Sequence, residues 1–270
     1  MIRGITRRFG IRFQRRWGQN FLADRRQLER IVEALDLQAT DAVVEVGPGL
    51  GALTVELASR VRAVVGVEID PTCVKALGLA LRDHPNVRIL EANILQVPVA
   101  DFLPADYRVA GNIPYNLTGA LFTHLFEQPR PPLRIDLLVQ QEVAERIVAP
   151  PGGWSLATLG VRVYGQPELL LRVPRSAFFP QPRVDSALVR IIPDANAAVA
   201  KADLPSFFRF VTPFFQARRK QLPFVLGRKL GVSGVEARAR LTVIDIDPAR
   251  RPGTLSLEEW RRFFESERER

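Results

Sequence analysis

An Asn-Ile-Pro-Tyr stretch near the middle of the chain carries side chains suited to bind a planar ring. Asn112 has an amide that both donates and accepts hydrogen bonds. Pro114 keeps Ile113 out of the helical region, so the carbonyl of Ile113 can stay free of a hydrogen-bonded ladder. Two acceptors beside the ring of Tyr115 would suit a base that carries an amino group. An Asn-Pro turn with a core tyrosine is the alternative, and these four residues alone do not separate the two interpretations.

A glycine-rich turn lies earlier in the chain, directly after a short apolar strand at 43–46. The turn reads Gly47-Pro48-Gly49-Leu50-Gly51, and a helical pattern begins at Leu53. Glycines let backbone N–H groups approach a ligand, and the N-terminus of a helix favours negative charge. The stretch therefore predicts a cofactor cradle. The spacing is not that of the dinucleotide fingerprint, and a tight connection between strand and helix would look the same.

Two polar residues follow the next two predicted strands. Glu68 ends the apolar run 63–67, about twenty residues beyond the glycine turn, where a doubly wound sheet places a carboxylate against a ribose diol. Asn93 follows the strand at 87–90 and could present a polar group to an adenine edge. In isolation, Glu68 could belong to a helix cap and Asn93 to a plain loop. Together with the glycine turn, Glu68 favours nucleoside binding.

The strands alternate with helical patterns, which predicts an α/β fold with a parallel sheet and helices on both faces. Ligands of such sheets bind beyond the carboxyl ends of the strands. Four of the candidate residues fall at such ends: Gly47, Glu68, Asn93 and Asn112. The composition shifts near residue 194, and the chain after it reads as helices. We therefore expect a cofactor-binding domain over 1–194 and a helical domain over 195–270 that contributes to RNA binding.

The charge balance of the 270 residues suggests a polyanionic partner. Lys and Arg number 38 against 29 for Asp and Glu, a formal net charge of +9. Neutralising phosphates releases counterions, so this excess favours nucleic acid, although a solvated basic surface is the alternative. The candidate RNA-binding cations are Arg15 and Arg16 near the start and Arg218, Arg219 and Lys220 after a helix rich in phenylalanine. The last three could instead complement a helix dipole.

Other classes of protein fit the composition poorly. With one cysteine and two histidines, the chain offers little for a metal site, so we expect no metal. No apolar run approaches the roughly 20 residues of a membrane span. The Arg-rich start lacks the apolar region of a secretory signal, although an organelle transit peptide has a similar composition. We expect a cytoplasmic protein without a membrane partner.

A loop between two β-rich runs contains three prolines and two adjacent phenylalanines, Phe178 and Phe179. A stiff apolar loop of this kind could hold a ring beside a pocket. It could equally be a hairpin plug packed on the core.

The ordered motifs resemble the KsgA/RsmA family of ribosomal RNA small subunit adenine dimethyltransferases over essentially residues 15–266. The motifs that carry the resemblance are Gly18-Gln19-Asn20-Phe21-Leu22, Glu45-Val46-Gly47-Pro48-Gly49, Asn112-Ile113-Pro114-Tyr115, Pro180-Gln181-Pro182-Arg183-Val184-Asp185-Ser186, Phe214-Phe215-Gln216-Ala217-Arg218-Arg219-Lys220 and Asp245-Ile246-Asp247-Pro248-Ala249-Arg250-Arg251-Pro252. Each motif is moderately specific, whereas the ordered set is very specific.

The resemblance implies a Rossmann-like methyltransferase fold, with a seven-stranded, mostly parallel sheet and a small all-helical C-terminal domain. It implies S-adenosylmethionine as methyl donor and two adjacent adenosines near the 3′ end of small-subunit ribosomal RNA as substrate. The expected partner is this RNA or the immature 30S subunit, met by a monomer with a role in subunit biogenesis. The predicted cofactor-binding residues are Gln19, Asn20, Leu22, Gly47, Gly49, Glu68, Ile69, Asn93, Ile94 and Asn112.

The predicted catalytic residues are Asn112, Ile113, Pro114, Tyr115 and Phe178. On this hypothesis the Asn112 oxygen and the Ile113 carbonyl accept the two amino hydrogens of the target adenine. Tyr115 and Phe178 would cover the two faces of the base. One position departs from the family, which usually has Asp where this chain has Asn93. Asparagine keeps an acceptor but loses the charge, so we expect slightly weaker cofactor binding.

Three other functions remain open at this level. An Erm-type enzyme would methylate one adenosine of large-subunit RNA and confer macrolide resistance; the 216–220 and 245–252 segments argue against it. A relative of the mitochondrial transcription factors would bind nucleic acid without needing methylation, which the Arg-rich start weakly favours. A nicotinamide dehydrogenase would also use Gly47 and Glu68, but its glycine spacing differs.

Overall fold

The computed structural model describes residues 19–103, 106–113, 117–194 and 197–270. These residues form two compact units. The first contains the described residues up to Ala144 together with Pro167–Pro193, and the second contains Glu145–Gln166 together with Asp194–Arg270. Within the described ranges, no helix combines the length and the apolar character needed to cross a membrane.

A seven-stranded, mostly parallel sheet forms the frame of the first unit, as predicted. Its strand order is β4-β3-β2-β5-β6-β9-β7. Strands β2 to β6 pair in parallel, and β9 pairs antiparallel with β6. A separate antiparallel pair joins β1 to β8. The strands are β1 (Phe21–Leu22), β2 (Ala42–Val46), β3 (Ala63–Glu68), β4 (Val87–Glu91), β5 (Arg108–Asn112), β6 (Arg134–Gln140), β7 (Gly165–Val173), β8 (Phe178–Phe179) and β9 (Ser186–Pro193).

Helices follow most of the strands, and some of them begin at a capping side chain. The helices are α1 (Arg25–Ala34), α2 (Ala52–Ala58), α3 (Pro71–Ala80), α4 (Thr118–Phe126), α5 (Gln141–Val148), α6 (Leu156–Arg162), α7 (Leu204–Gln216), α8 (Leu222–Leu230), α9 (Gly234–Val243) and α10 (Leu257–Arg268). The carboxylates of Asp24 and Asp70 cap α1 and α3, because each accepts a hydrogen bond from an N–H of the first turn. Pro71 then occupies the first helical position, where its missing N–H is not needed.

The core of the first unit is formed by residues of the sheet and of the helices packed on it. Every residue of β2 is buried, and Val43 packs with Ile31 of α1, Leu57 of α2 and Leu138 of β6. Burying apolar surface between helix and sheet stabilises the arrangement by about 25 cal/mol per Å². This packing holds the carboxyl ends of β2 to β5 at one edge.

The second unit is built around aromatic side chains of α7 and α10. The rings of Phe214 and Trp260 lie 5.4 Å apart, and those of Phe210 and Phe263 lie 5.0 Å apart, both edge to face. Pro213 lies inside α7 without breaking it, since the helix continues to Gln216.

The bounds of the units differ from the expected domains in one respect. The chain enters the second unit at Asp194, where the expected boundary lies, but residues 145–166 also belong to this unit. One cause is a pair of hydrogen bonds: the backbone N–H groups of Gly152 and Trp154 donate to the carbonyl oxygen of Gly253, at 2.8 and 3.3 Å. These bonds tie the segment before α6 to the loop before α10, a long-range contact that sequence composition does not reveal.

Candidate active site

The carboxyl ends of β2 to β5 and the segment around β1 enclose a cavity of about 280 Å³. Each of the ten predicted cofactor-binding residues lines it: Gln19, Asn20, Leu22, Gly47, Gly49, Glu68, Ile69, Asn93, Ile94 and Asn112. Ile113 of the predicted catalytic set lines it as well. The parallel pairing of the strands brings these residues together, as the rule for sheet edges predicts.

The glycine turn forms one wall of the cavity. Its backbone has positive φ values, which residues other than glycine adopt only with strain. Gly47 and Gly49 have φ values of 67° and 60°. A Cβ at Gly49 would lie 2.9 Å from the ring of Phe21. The ring therefore packs directly on the glycine backbone, and residue 49 must be glycine for both conformational and steric reasons.

Glu68 is held in place at the end of β3 by three backbone N–H groups. One carboxylate oxygen accepts from Gly49 at 2.8 Å, and the other accepts from Ile69 and Asp70 at 2.9 Å each. Burial raises the pKa of the carboxyl, while these three hydrogen bonds oppose that rise. A carboxylate offers about four lone-pair sites, so acceptor capacity remains for a hydroxyl of a ligand.

Asn112 is anchored at the end of β5. Its side-chain Nδ2 donates to the backbone carbonyl of Asn20 at 2.7 Å. This bond orients the amide and leaves Oδ1 as an acceptor. Among the described residues, no hydrogen bond ends on the carbonyl oxygen of the following Ile113. Oδ1 of Asn112 is thus a candidate acceptor at the cavity, and the Ile113 carbonyl stays a predicted second one.

Asn93 has a local structural partner in addition to its place on the cavity wall. Its Oδ1 accepts from the N–H of Leu95 at 3.1 Å and caps a short 3-10 helix at Ile94–Gln96. Asn93 therefore has both a local structural role, as a cap, and a place on the cavity wall.

Glu45 is a cavity residue that is missing from the predicted site. It lies within β2, is 2% exposed, and its Oε2 has no hydrogen-bond partner. Burial raises the pKa of Glu45 to about 8, and the nearby Glu68 carboxylate adds to the rise. An acid inside the apolar run Val43-Val44-Glu45-Val46 is the sequence signal that could have identified it.

The segment around β1 and the proline-rich loop meet through strand pairing. Phe21 is paired with Phe179, and Leu22 with Phe178. The side-chain Nε2 of Gln19 donates to Asp70 at 2.7 Å, which ties this segment to the start of α3. The first motif of the chain thereby closes one side of the cavity.

Phe178 is 3% exposed and packs in the core of the first unit. It does not line the cavity, unlike Phe21. Of the two interpretations of this loop, the placement of Phe178 favours a hairpin packed on the core rather than a ring held beside a pocket. The reason is its pairing with Leu22, which is itself part of the same core cluster. The stacking role of Phe178 stays a prediction.

The remaining predicted residues are distributed as follows. Pro114, Tyr115, Arg15 and Arg16 lie outside the described residues. The second unit contains Arg218, Arg219 and Lys220, all exposed, in the connection between α7 and α8. Among the residues that the structure describes, no group of three or more His, Cys, Asp or Glu side chains is arranged to hold a metal ion.

The family model for ribosomal RNA adenine dimethylases matches residues 10–266, nearly the whole chain. The chain belongs to this family. The ordered motifs predicted this family, and the match confirms the prediction. The protein is therefore an rRNA adenine dimethyltransferase.

Curated relatives agree with the family model. The chain is 41% identical over 266 residues to a ribosomal RNA small subunit methyltransferase A of Dehalococcoides mccartyi, covering 97% of this chain and 89% of the relative. It is 34% identical over 267 residues to a protein of the same name from Bacillus mycoides, covering 95% and 91%.

Solved structures of similar proteins support the dimethylase fold. The 23S rRNA methyltransferase ErmE is 31% identical, with a TM-score of 0.73 and coverage of 92% of this chain and 99% of that one. A dimethyladenosine transferase from Plasmodium falciparum, at 22% identity, has a TM-score of 0.76, with coverage of 90% and 95%. The predicted Rossmann-like methyltransferase fold is confirmed.

Proposed function

We propose that the protein transfers methyl groups from S-adenosylmethionine to the N6 atoms of two adjacent adenosines near the 3′ end of small-subunit ribosomal RNA. The observation that carries the proposal is the anchored amide of Asn112 in the same cavity as Glu68. The names of the relatives from Dehalococcoides and Bacillus support the choice of the small subunit.

The residues of the cavity fit S-adenosylmethionine. Glu68 has acceptor capacity for a ribose diol, and the positive-φ backbone at Gly47 brings the chain to the cavity without a side chain. The buried Oε2 of Glu45 lacks a partner, and a hydrogen-bond donor on a bound ligand is the kind of group that satisfies such an oxygen. Asn93 and Ile94 complete the wall where the adenine of the cofactor is expected.

The proposed mechanism relies on positioning. Bound S-adenosylmethionine supplies an electrophilic methyl group. The Oδ1 of Asn112 and the carbonyl of Ile113 accept the two amino hydrogens of the target adenine. These bonds would favour a pyramidal nitrogen whose lone pair, otherwise delocalised into the ring, is directed at the methyl group. Transfer would release S-adenosylhomocysteine, and the N6 proton would pass to solvent. Positioning of this kind requires no strong general base.

The target adenine must leave its helix to reach these acceptors, at a cost of roughly a few kcal/mol. Stacking on Tyr115 offsets part of this, at about 1–3 kcal/mol per base. Stacking by Phe178 on the other face requires its ring to leave the core, where it is 3% exposed. We therefore assign the larger share of base holding to Tyr115.

The positive charge of the chain suggests how the protein would engage its RNA substrate. A monomer in the cytoplasm would engage the immature 30S subunit through Arg15, Arg16, Arg218, Arg219 and Lys220, and the helical unit contributes to that contact. The net charge of +9 supports a phosphate-rich partner. The protein would thereby take part in small-subunit biogenesis.

The decisive experiment is mass spectrometry of both ribosomal RNAs after incubation with the purified protein and isotope-labelled S-adenosylmethionine. Immature small subunits, naked small-subunit RNA and large-subunit RNA are supplied separately. Two adjacent dimethyladenosines in the small-subunit RNA are the expected product. The absence of methylation in every substrate would contradict the proposal.

A second candidate is an Erm-type activity on large-subunit RNA. It is favoured by one observation, the 31% identity and TM-score of 0.73 to ErmE. One methylated adenosine in the large-subunit RNA would identify this activity in the same experiment.

A further inference from the structure

A half-exposed aromatic ring lies in the first turn of α8, within the second unit. Phe224 is 49% exposed, whereas its neighbours Val225 and Leu226 are buried. Arg228 lies four residues further on and is also exposed, so the two side chains share the outward face of the helix. A large aromatic side chain on this face gains little from packing within its own chain.

Cations lie close to this ring in sequence, and one of them contacts it. Arg218, Arg219 and Lys220 precede α8 and are exposed. The ammonium nitrogen of Lys220 lies 5.3 Å from the centroid of the Phe224 ring, within the range of a cation–π interaction. The stretch 218–228 therefore combines one exposed aromatic ring with four exposed cations.

No carboxylate pairs with the cations of the stretch 218–228 among the described residues. Some other arginines of this unit are paired, such as Arg240 with Glu236 and Arg250 with Glu259, whereas Arg238 and Arg251 form no ion pair with any described residue. What distinguishes this stretch is that unpaired cations lie beside an exposed aromatic ring, an arrangement that suits a nucleotide because carboxylates next to the ring would repel its phosphates.

We propose that Phe224, with Lys220 and Arg228, is a stacking site for an unpaired base of the RNA. Every base has a π face, so stacking on a phenylalanine ring holds a nucleotide without reading its sequence. Lys220 and Arg228 then contact the phosphates on either side of the stacked nucleotide. The site rests on the proposed function, since it gives the second unit a single-stranded segment of the same RNA to bind.

The site requires a single-stranded RNA rather than a duplex. Bases of a duplex are stacked on one another and do not present a free face, whereas loops and ends do. A protein partner that buries Phe224 is the competing occupant, and the unpaired cations beside the ring favour the nucleic acid.

The test measures the affinity of the full-length protein for a short single-stranded oligoribonucleotide that contains 2-aminopurine, over a range of salt concentrations. Phe224→Leu, which keeps an apolar side chain but removes the ring, is expected to weaken binding roughly 5- to 100-fold and to abolish the stacking-induced fluorescence change. The dependence of affinity on salt stays unchanged. Phe224→Trp is expected to retain both the affinity and the fluorescence change.

Two further variants provide matched comparisons. Arg228→Gln is expected to reduce the slope of log K against log salt by about one, because it removes a phosphate contact. Leu230→Ala alters another exposed apolar side chain of α8, which is 39% exposed, and is expected to leave affinity and slope unchanged.

Equal RNA affinity of Phe224→Leu and the wild-type protein would overturn the stacking site. So would a loss of binding to immature subunits by Phe224→Leu without a loss of binding to the oligoribonucleotide, which would assign the ring to a protein partner. Either result would leave the proposed methyl transfer intact, provided the wild-type protein still methylates small-subunit RNA. Failure of the wild-type protein to methylate RNA would instead contradict the proposed function.

Discussion

The side-chain amide of Asn112 donates a hydrogen bond to the backbone carbonyl of Asn20 at 2.7 Å, across 92 residues of sequence. One bond thereby joins the end of β5 to the segment before β1. It also decides which end of the amide is available, since the nitrogen is engaged and the oxygen is left to accept. The first motif of the chain therefore positions the residue proposed to hold the target base.

Replacing Asn112 tests this relationship. Asn112→Ala removes the acceptor, and Asn112→Asp keeps oxygens but loses the donor to Asn20. We expect both to slow methyl transfer at saturating cofactor by about 10²- to 10³-fold, in line with the loss of one oriented group at a reacting centre. Single-turnover assays with labelled cofactor measure this rate.

A matched control for that test is Asn86→Ala. The Asn86 amide also donates to backbone carbonyls, those of Ala58 and Val61, but Asn86 does not line the cavity. Its loss should lower stability and leave the saturated rate within about threefold of wild type, well short of the losses in the preceding test. A near-normal rate for Asn112→Ala would refute the role assigned to Asn112.

Asn93→Asp tests the departure from the family pattern. One carboxylate oxygen can keep the hydrogen bond from the Leu95 N–H, and the second adds a charged acceptor in place of an amide donor. We expect the variant to bind S-adenosylhomocysteine about 2- to 10-fold more tightly, corresponding to roughly 0.4–1.4 kcal/mol. Isothermal titration calorimetry provides the measurement, with Asn93→Ala as the variant that loses both roles. Substantially weaker binding by Asn93→Asp would be inconsistent with this assignment.

Glu45 makes the stability of the cofactor-free protein depend on pH. Burial raises its pKa from 4.5 to about 8, so the folded state holds the proton more tightly than the unfolded chain does. Its contribution to stability is therefore fully present below about pH 4.5 and is lost as the pH rises to about 8.

Glu45→Gln imitates the protonated side chain at every pH. The variant should be about as stable as wild type near pH 5 and more stable near pH 9, by roughly 2–4 kcal/mol. Urea unfolding at several pH values measures the difference, and comparison with wild type removes the contributions of other carboxyls. A constant difference between the two proteins across this range would show that Glu45 does not titrate there.

Gly49→Ala tests the close packing at the glycine turn. The φ of 60° strains an alanine, and its Cβ would lie 2.9 Å from the Phe21 ring. We expect a loss of about 1–3 kcal/mol in the free energy of unfolding, together with weaker cofactor binding. Thermal unfolding and calorimetry measure the two effects.

Gly119→Ala is the corresponding control. Gly119 is exposed within α4, and a Cβ there meets no atom within 4 Å. Alanine is expected to be neutral or to stabilise by up to about 1 kcal/mol, because glycine is the weaker helix former. If Gly49→Ala behaved like Gly119→Ala, the steric account of the turn would be wrong.

Much of the fold and the cavity follows from local patterns. Apolar runs punctuated by Gly, Asn and Asp predict strands that end at Gly47, Glu68, Asn93 and Asn112, and parallel strands bring such ends to one edge. Likewise, Asp70 before Pro71 predicts the start of α3, because capping involves atoms only a few residues apart. The ordered motifs identify the family for the same reason, since each is a short contiguous stretch.

The sequence by itself determined the family, the α/β sheet and the set of residues at its carboxyl edge. Only the tertiary structure decided that Asn20 orients Asn112, that Phe178 lies in the core, and that Glu45 is buried with its Oε2 unpaired. Local patterns depend on neighbouring residues and are visible in the chain. Strand pairing between β1 and β8 and the burial of individual side chains depend instead on which distant surfaces pack together.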